Sequence, residues 1–341
     1  MKSSFLKIRR SFFIIFISFC VMFLSQVLSP YTSIAGMIRV LIIDDKHKSI
    51  PEKDEKLIKV GNKTESNYLA NGVYYAGKIE VWKGKNGRYF INELPLEDYV
   101  KDVVIAEVGR SWDIEAIKAQ AVITRTYALY HKKAKQNSCY HLTSSVLHQT
   151  YKGNSPDPKI TYAVEETSGE ILTYDGEPIE ALYHSTCGGK TELPEEVFGK
   201  SYSYLKSVES NCESSPYWEW KREIPLVEIE KGLNISGIKE IEVKSYTSTG
   251  RVKELEIKTE SDQIIIGSNE FRKLLGWQRI PSTNFSIIKN SDSIVFEGKG
   301  HGHGIGLCQW SALEMAKEGK SYREILSFFY PGTEIQLYKE N

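Results

Sequence analysis

Between Leu94 and Tyr127 the chain spells two helices that meet at a tight corner, and that corner limits what the rest can pack around. Val100, Val103 and Val104 recur at helical spacing, and Gly109 follows where a helix can stop in the left-handed conformation. Ser111 or Asp113 can cap the next helix, whose Ile114, Ile117, Ala121 and Ala128 fall on one face. Glu107 therefore lies in the last turn of the first helix. There the macrodipole is negative and disfavours a carboxylate. A carboxyl held at such a place and partly desolvated tends to keep its proton, as a general acid must. The competing reading is a solvent-facing Glu on an ordinary helical hairpin, since most acidic residues lie at surfaces.

Around this hairpin the patterning is that of short strands. Ile38 to Ile43 is an apolar run, Gly77 to Lys83 alternates by face before a turn at Gly84 to Gly87, and Tyr89 to Ile91 returns. The charged stretch from Lys46 to Lys59 is expected to be an exposed loop. Beyond the hairpin, Glu165 to Thr173 and Glu180 to His184 are expected strands, with Asp175-Gly176 as a turn. The segments carrying Ile241 and Val243, then Leu255 and Ile257, make a hairpin through Ser248 to Gly250, which Ile264 to Ile266 extends. Ser268 to Leu275 and Gln309 to Ala316 suit helices, and Ser321 with Glu324 forms a capping box before Ile325 to Tyr330 and the stop at Pro331-Gly332. The expected class is α+β, with mixed strands around a central helical hairpin. The expected division is a leader (1–35), a β-rich segment (36–92) and a main domain (93–341) that contains a β-rich portion at about 213–297.

The 341 residues, 41% of them hydrophobic, suffice for a sizeable core. Lys plus Arg and Asp plus Glu both number 44, so no basic excess exists to displace counterions from nucleic acid. A neutral or mildly polar polymer such as a glycan suits this balance. Lys2, Lys7, Arg9 and Arg10 precede an apolar run from Phe12 to about Leu28, and Ser33-Ile34-Ala35 offers a signal-peptidase site. Export with cleavage after Ala35 is expected, with an uncleaved anchor as the alternative; either puts residues 36–341 outside the cytoplasm. Cys20 lies in the apolar run, leaving Cys139, Cys187, Cys212 and Cys308 for an oxidising compartment. Four cysteines allow three pairings, and spacing does not choose between them.

Glycine alternates from Gly298 to Gly306, with His301 and His303 between. Such a run suits close backbone approach, by a ligand or by another strand, and reads as a cleft wall leading into the helix at Gln309. The pattern lacks the Lys-Ser/Thr of a phosphate loop. A Ser185–His184 nucleophile pair is rejected, because adjacent strand residues point to opposite faces.

Four blocks, in order, carry a resemblance. They are Leu96-Glu97-Asp98-Tyr99 leading to Glu107, Trp112 and Glu115 to Tyr127; Tyr183 to Thr191; Tyr204 to Val208; and Gly302 to Trp310. Together they closely resemble the signature of the SpoIID/LytB family, the stage II sporulation protein D and amidase-enhancer proteins of bacterial cell walls, over roughly residues 80 to 340. The resemblance implies a lytic transglycosylase of peptidoglycan that needs one carboxyl, with Glu107 in that role and no cofactor. It implies Cys187 with Cys212 as a disulfide. Some sporulation members show a zinc pattern in the region of His131, Cys139, His141 and His148, but Gln149 stands here where the second Cys of a His-Cys pair would be, and no metal is expected.

Gln120, Arg125 and Tyr127 on the second helix, with His184, His303 and Gln309, are the expected substrate contacts, although Arg125 sits about 140° from Gln120 around the helix. The expected partners are glycan strands of peptidoglycan and, in the amidase-enhancer alternative, a wall amidase that the chain stimulates without being an enzyme. A zinc-dependent hydrolase is disfavoured by the lack of a His-Glu-x-x-His spacing.

Overall fold

The computed structural model describes residues 36–43, 50–52, 55–63, 72–145, 148–153 and 157–339. The expected leader lies outside them, and among the described residues no helix is long and apolar enough to cross a membrane.

The architecture is the expected α+β mixture. Strands β1 (Met37–Leu41), β2 (Ile58–Lys63), β3 (Lys78–Gly84) and β4 (Gly87–Pro95) join a fifth, β5 (Leu142–Thr143), in the order β2-β3-β4-β1-β5. Only β1 and β5 run parallel, because a long helical excursion separates them. Ile58 and Lys59, expected in a loop, begin β2, where they pair with Lys83 and Trp82. Their side chains stay exposed, so burial left no sign of this edge strand in the pattern.

Helix α1 (Leu96–Glu107) follows β4 directly, and α2 (Ile114–Ala134) follows after a short turn. Gly109 takes φ +78°, and Asp113 caps α2 by accepting the Glu115 N–H at 2.9 Å. The α2 helix is buried on nearly every side, in contact with α1 and with the elements that follow it. Tyr99, Val103, Val104, Ile117 and Val122 anchor this core, each stabilising the fold by roughly 1.5–3 kcal/mol through removal from water.

The stretch expected as a strand from Glu165 is split. Asp157 caps α3 (Pro158–Glu166), whose Ile160, Ala163 and Val164 are buried at helical spacing, and only β6 (Glu170–Tyr174) is extended. Proline at the first helical position and the Asp cap outrank the local β-propensity. A turn at Asp175 and Gly176, both at positive φ, leads to β7 (Glu177–Pro178). Of Glu180 to His184, only β8 (Tyr183–His184) pairs.

After α4 (Pro194–Phe198) comes the β-rich portion. Its elements are β9 (Trp220–Pro225), α5 (Leu226–Leu233), β10 (Glu240–Tyr246), β11 (Val252–Lys258), β12 (Gln263–Gly267), α6 (Ser268–Leu275), β13 (Phe285–Lys289) and β14 (Ser293–Gly298). Two three-stranded sheets, β10-β11-β12 and β13-β14-β9, enclose a separate apolar core around Leu255, Ile257, Phe271 and Phe296. The chain then returns through β15 (Leu307–Cys308), parallel to β8, into α7 (Gln309–Lys317) and α8 (Tyr322–Phe329). The expected capping box of Ser321 and Glu324 starts α8, and β16 (Glu334–Leu337) closes beside β6.

Candidate active site

Glu107, the last residue of α1, opens onto a groove of about 780 Å³ whose walls include Tyr127, His184, His303 and Gln309. Segments far apart in sequence meet there because α7 packs on α2 and continues from β15, which pairs with β8. Trp112 from the corner and Trp310 from α7 meet edge to face at 5.4 Å, fixing that approach.

The Glu107 carboxyl is half-buried and its two oxygens are not equivalent. Oε1 accepts the Thr150 backbone N–H at 2.7 Å, a donor that cannot rotate away. Oε2 has the longer contact, with the Gln309 side-chain amide at 3.4 Å. Gln309 Nε2 also lies 3.3 Å from Gln120 Oε1, and Gln120 Nε2 donates to Thr124 Oγ1 at 3.2 Å. Oε2 is therefore the less tightly held of the two oxygens.

The other wall is aromatic and imidazole-rich. The Tyr127 ring rests on His131 at 4.3 Å, and His131 lies 5.1 Å from His148. Burial holds His131 down to about 3, helped by His148 and Lys135, and holds His148 down to about 4. His301 and His303 are pushed down to about 4 and about 3, again chiefly by burial. Burial thus keeps these imidazoles neutral at neutral pH. His301 stacks on Tyr217 at 4.3 Å, and Phe198, Lys200 and Tyr202 complete the rim.

The glycine run is not a simple extended strand. Gly300, Gly302, Gly304 and Gly306 all have positive φ. A Cβ on Gly306 would sit 2.0 Å from the Leu182 carbonyl oxygen, and one on Gly302 would sit 2.9 Å from His184 Cβ. The close approach is thus to the chain's own segment from Leu182 to Cys187, and it brings His301 and His303 to the groove.

Several expected residues lie elsewhere. Arg125 is fully buried and its guanidinium grips Glu97 at 2.8 and 2.7 Å, with the Glu170 carbonyl at 2.9 Å, so it is a core ion pair and not a groove contact. Gln120 is buried behind Gln309 and reaches the groove only through it. Cys187 and Cys212, the expected disulfide partners, are brought together with their sulfurs 3.5 Å apart, and Cys308 crowds the same spot, its sulfur accepting the Cys187 N–H. Of the zinc-pattern residues, His131 and His148 come together, while His141 and Cys139 are engaged with Arg39. His141 Nδ1 accepts the Arg39 N–H, the Cys139 carbonyl accepts from the Arg39 side chain, and Gln149 is buried where it accepts the Tyr99 hydroxyl at 3.1 Å. Glu180, a second groove carboxyl that takes a hydrogen bond from Tyr202, was not singled out from sequence, because nothing marks one acid in an expected strand.

Comparison with known proteins places these features. The family model described as stage II sporulation protein matches residues 85–174, and one described as a domain of unknown function matches 200–306. Stage II sporulation protein D of Bacillus subtilis is 31% identical over 264 residues, covering 72% of this chain and 75% of that protein. An uncharacterized protein of Brachyspira hyodysenteriae is 34% identical over 280 residues, 81% of this chain and 76% of the relative. The amidase enhancer of Bacillus subtilis is 29% identical over 291 residues, which cover 70% of this chain but 40% of that longer protein.

Proposed function

Because this chain belongs to the SpoIID/LytB family, we propose that it works on the bacterial cell wall, as a lytic transglycosylase that cleaves the MurNAc–GlcNAc bond of peptidoglycan. The observation that carries this reading is Glu107, lining a sugar-sized groove with one oxygen tied to the Thr150 N–H and the other held only by a long contact with the Gln309 amide. Oε2–H protonates the glycosidic oxygen, and the leaving sugar departs with that proton. The resulting carboxylate then takes the proton of the muramyl C6 hydroxyl as that oxygen closes on the anomeric carbon. A 1,6-anhydro end forms, and the carboxyl returns to its starting state. No water has to be positioned, so one carboxyl suffices where ordinary glycosidases need two. Tyr127, Tyr217 and the neutral His301 and His303 offer ring faces and hydrogen bonds to a glycan. The leader expected from residues 1–35 would deliver the groove to the extracytoplasmic side, where its substrate lies.

Glu107→Gln keeps an acceptor for Thr150 and removes the proton. Digestion of purified murein should then slow by about two to four orders of magnitude, read as anhydro-muropeptides by mass spectrometry. Release at the wild-type rate would end the proposal. The relative named amidase enhancer favours one second reading, a non-catalytic glycan binder that stimulates a wall amidase. A murein zymogram cleared by the purified chain alone speaks for the enzyme. A zymogram cleared only when an amidase is added speaks for the activator.

A further inference from the structure

Behind the groove lies a second cluster that the proposed reaction does not use. Cys187 Sγ, Cys308 Sγ and a ring nitrogen of His184 lie within 4.8 Å of one another, all three residues buried. Cys212 Sγ is 3.5 Å from Cys187 Sγ. We propose that Cys187, Cys212, Cys308 and His184 hold a thiophilic divalent metal ion, of which zinc is the type, as a structural site distinct from Glu107.

The donor set is the three-cysteine, one-histidine combination that suits tetrahedral zinc, and it comes from elements wide apart in sequence. His184 and Cys308 face each other as the paired residues of β8 and β15. The surroundings are those a bound thiolate site requires. The Cys187 N–H points at Cys308 Sγ at 3.2 Å. His184 Nδ1 lies 3.1 Å from the Ile305 carbonyl, which fixes the ring and its tautomer, while Nε2 is buried without a hydrogen-bond partner among the described residues. Arg251, also buried, donates to the Cys187 carbonyl at 2.6 Å, and its Nη1 lacks a partner among the same residues. Three thiolates around a dication leave one net negative charge, which this guanidinium balances. Binding releases the three thiol protons to solvent.

A Cys187–Cys212 disulfide is the rival. It would leave His184 Nε2 buried without a hydrogen-bond partner among the described residues, whereas a metal engages it together with the sulfurs. The ion would clamp β8 to β15 one residue before Gln309, and it makes His184 a ligand instead of a substrate contact.

The test uses the full chain, purified with reductant and analysed for metal, then exchanged into cobalt(II). One zinc per chain is expected, and a thiolate-to-cobalt charge-transfer band in the near ultraviolet. Cys308→Ser and His184→Ala should abolish the band, while the His131→Ala/His148→Ala double variant keeps it. In case the variants fail to fold, alkylation of the wild type decides: Cys187, Cys212 and Cys308 should react only after a chelator is added. The proposal falls if the reduced chain takes up neither metal, if those thiols react equally with and without chelator, or if the band is lost only in the His131/His148 variant. Non-reducing peptide maps that show Cys187 joined to Cys212, with no metal uptake after reduction, would establish the disulfide instead.

Discussion

Glu97 and Glu107 sit ten residues apart on one helix, and their surroundings separate them completely. Glu97 answers Arg125 on α2, a guanidinium with no exposure at all, whereas Glu107 meets only a backbone N–H and a loosely held amide. The Arg125 pair belongs to folding. Removing one member of such a pair leaves the other without a counter-charge, so Arg125→Ala should cost about 3 kcal/mol in urea unfolding. Its KM for murein fragments should stay unchanged if the variant is assayed well below its melting point. A changed KM with normal stability would return Arg125 to the substrate contacts. The sequence could rank Glu107 by its place at the corner, but Arg125 and Gln120 look equally polar on paper. Burial alone distinguishes them, and burial is set by α3, β6 and α7 closing over α2.

At the scale of elements, the helical hairpin, its cap at Asp113 and the capping box at Ser321 were legible because their signals are local. The glycine run was legible only as a close approach. Which segment it approaches follows from the parallel pairing of β8 and β15, a contact across more than a hundred residues. The histidines lining α2 and its neighbouring loop have a measurable consequence. Burial holds His131 near 3, and His141 and His148 near 4, while the same side chains in an unfolded chain titrate near 6.5. Below about 6.5 the unfolded state thus binds protons that the folded state refuses. Stability should be full above pH 7 and fall steadily from about pH 6.5 towards 4. Urea midpoints measured across that range test it, and His141→Gln should flatten the slope. A midpoint independent of pH through this window would mean that these rings protonate freely in the fold.

Among the described residues the two larger apolar cores, one around α2 and one inside the β-rich portion, are joined by a polar crossing. Arg251, at the start of β11, reaches out of the second core to the carbonyls of Cys187 and Lys190 and lies 3.9 Å from Glu192, all in the first unit. Such a buried crossing should make the two cores melt together. Calorimetry should show one transition for the wild type and two for Arg251→Ala; two transitions in the wild type would mean that the crossing couples nothing. From the sequence alone came the α+β class, the helical corner, the carboxyl at its end and the family, since each rests on local spacing or on ordered motifs. Tertiary structure alone decided which polar residues became core, which reached the groove, and that three cysteines and a histidine share one buried spot. Those outcomes depend on contacts between distant segments, which leave no periodic trace in the chain that makes them.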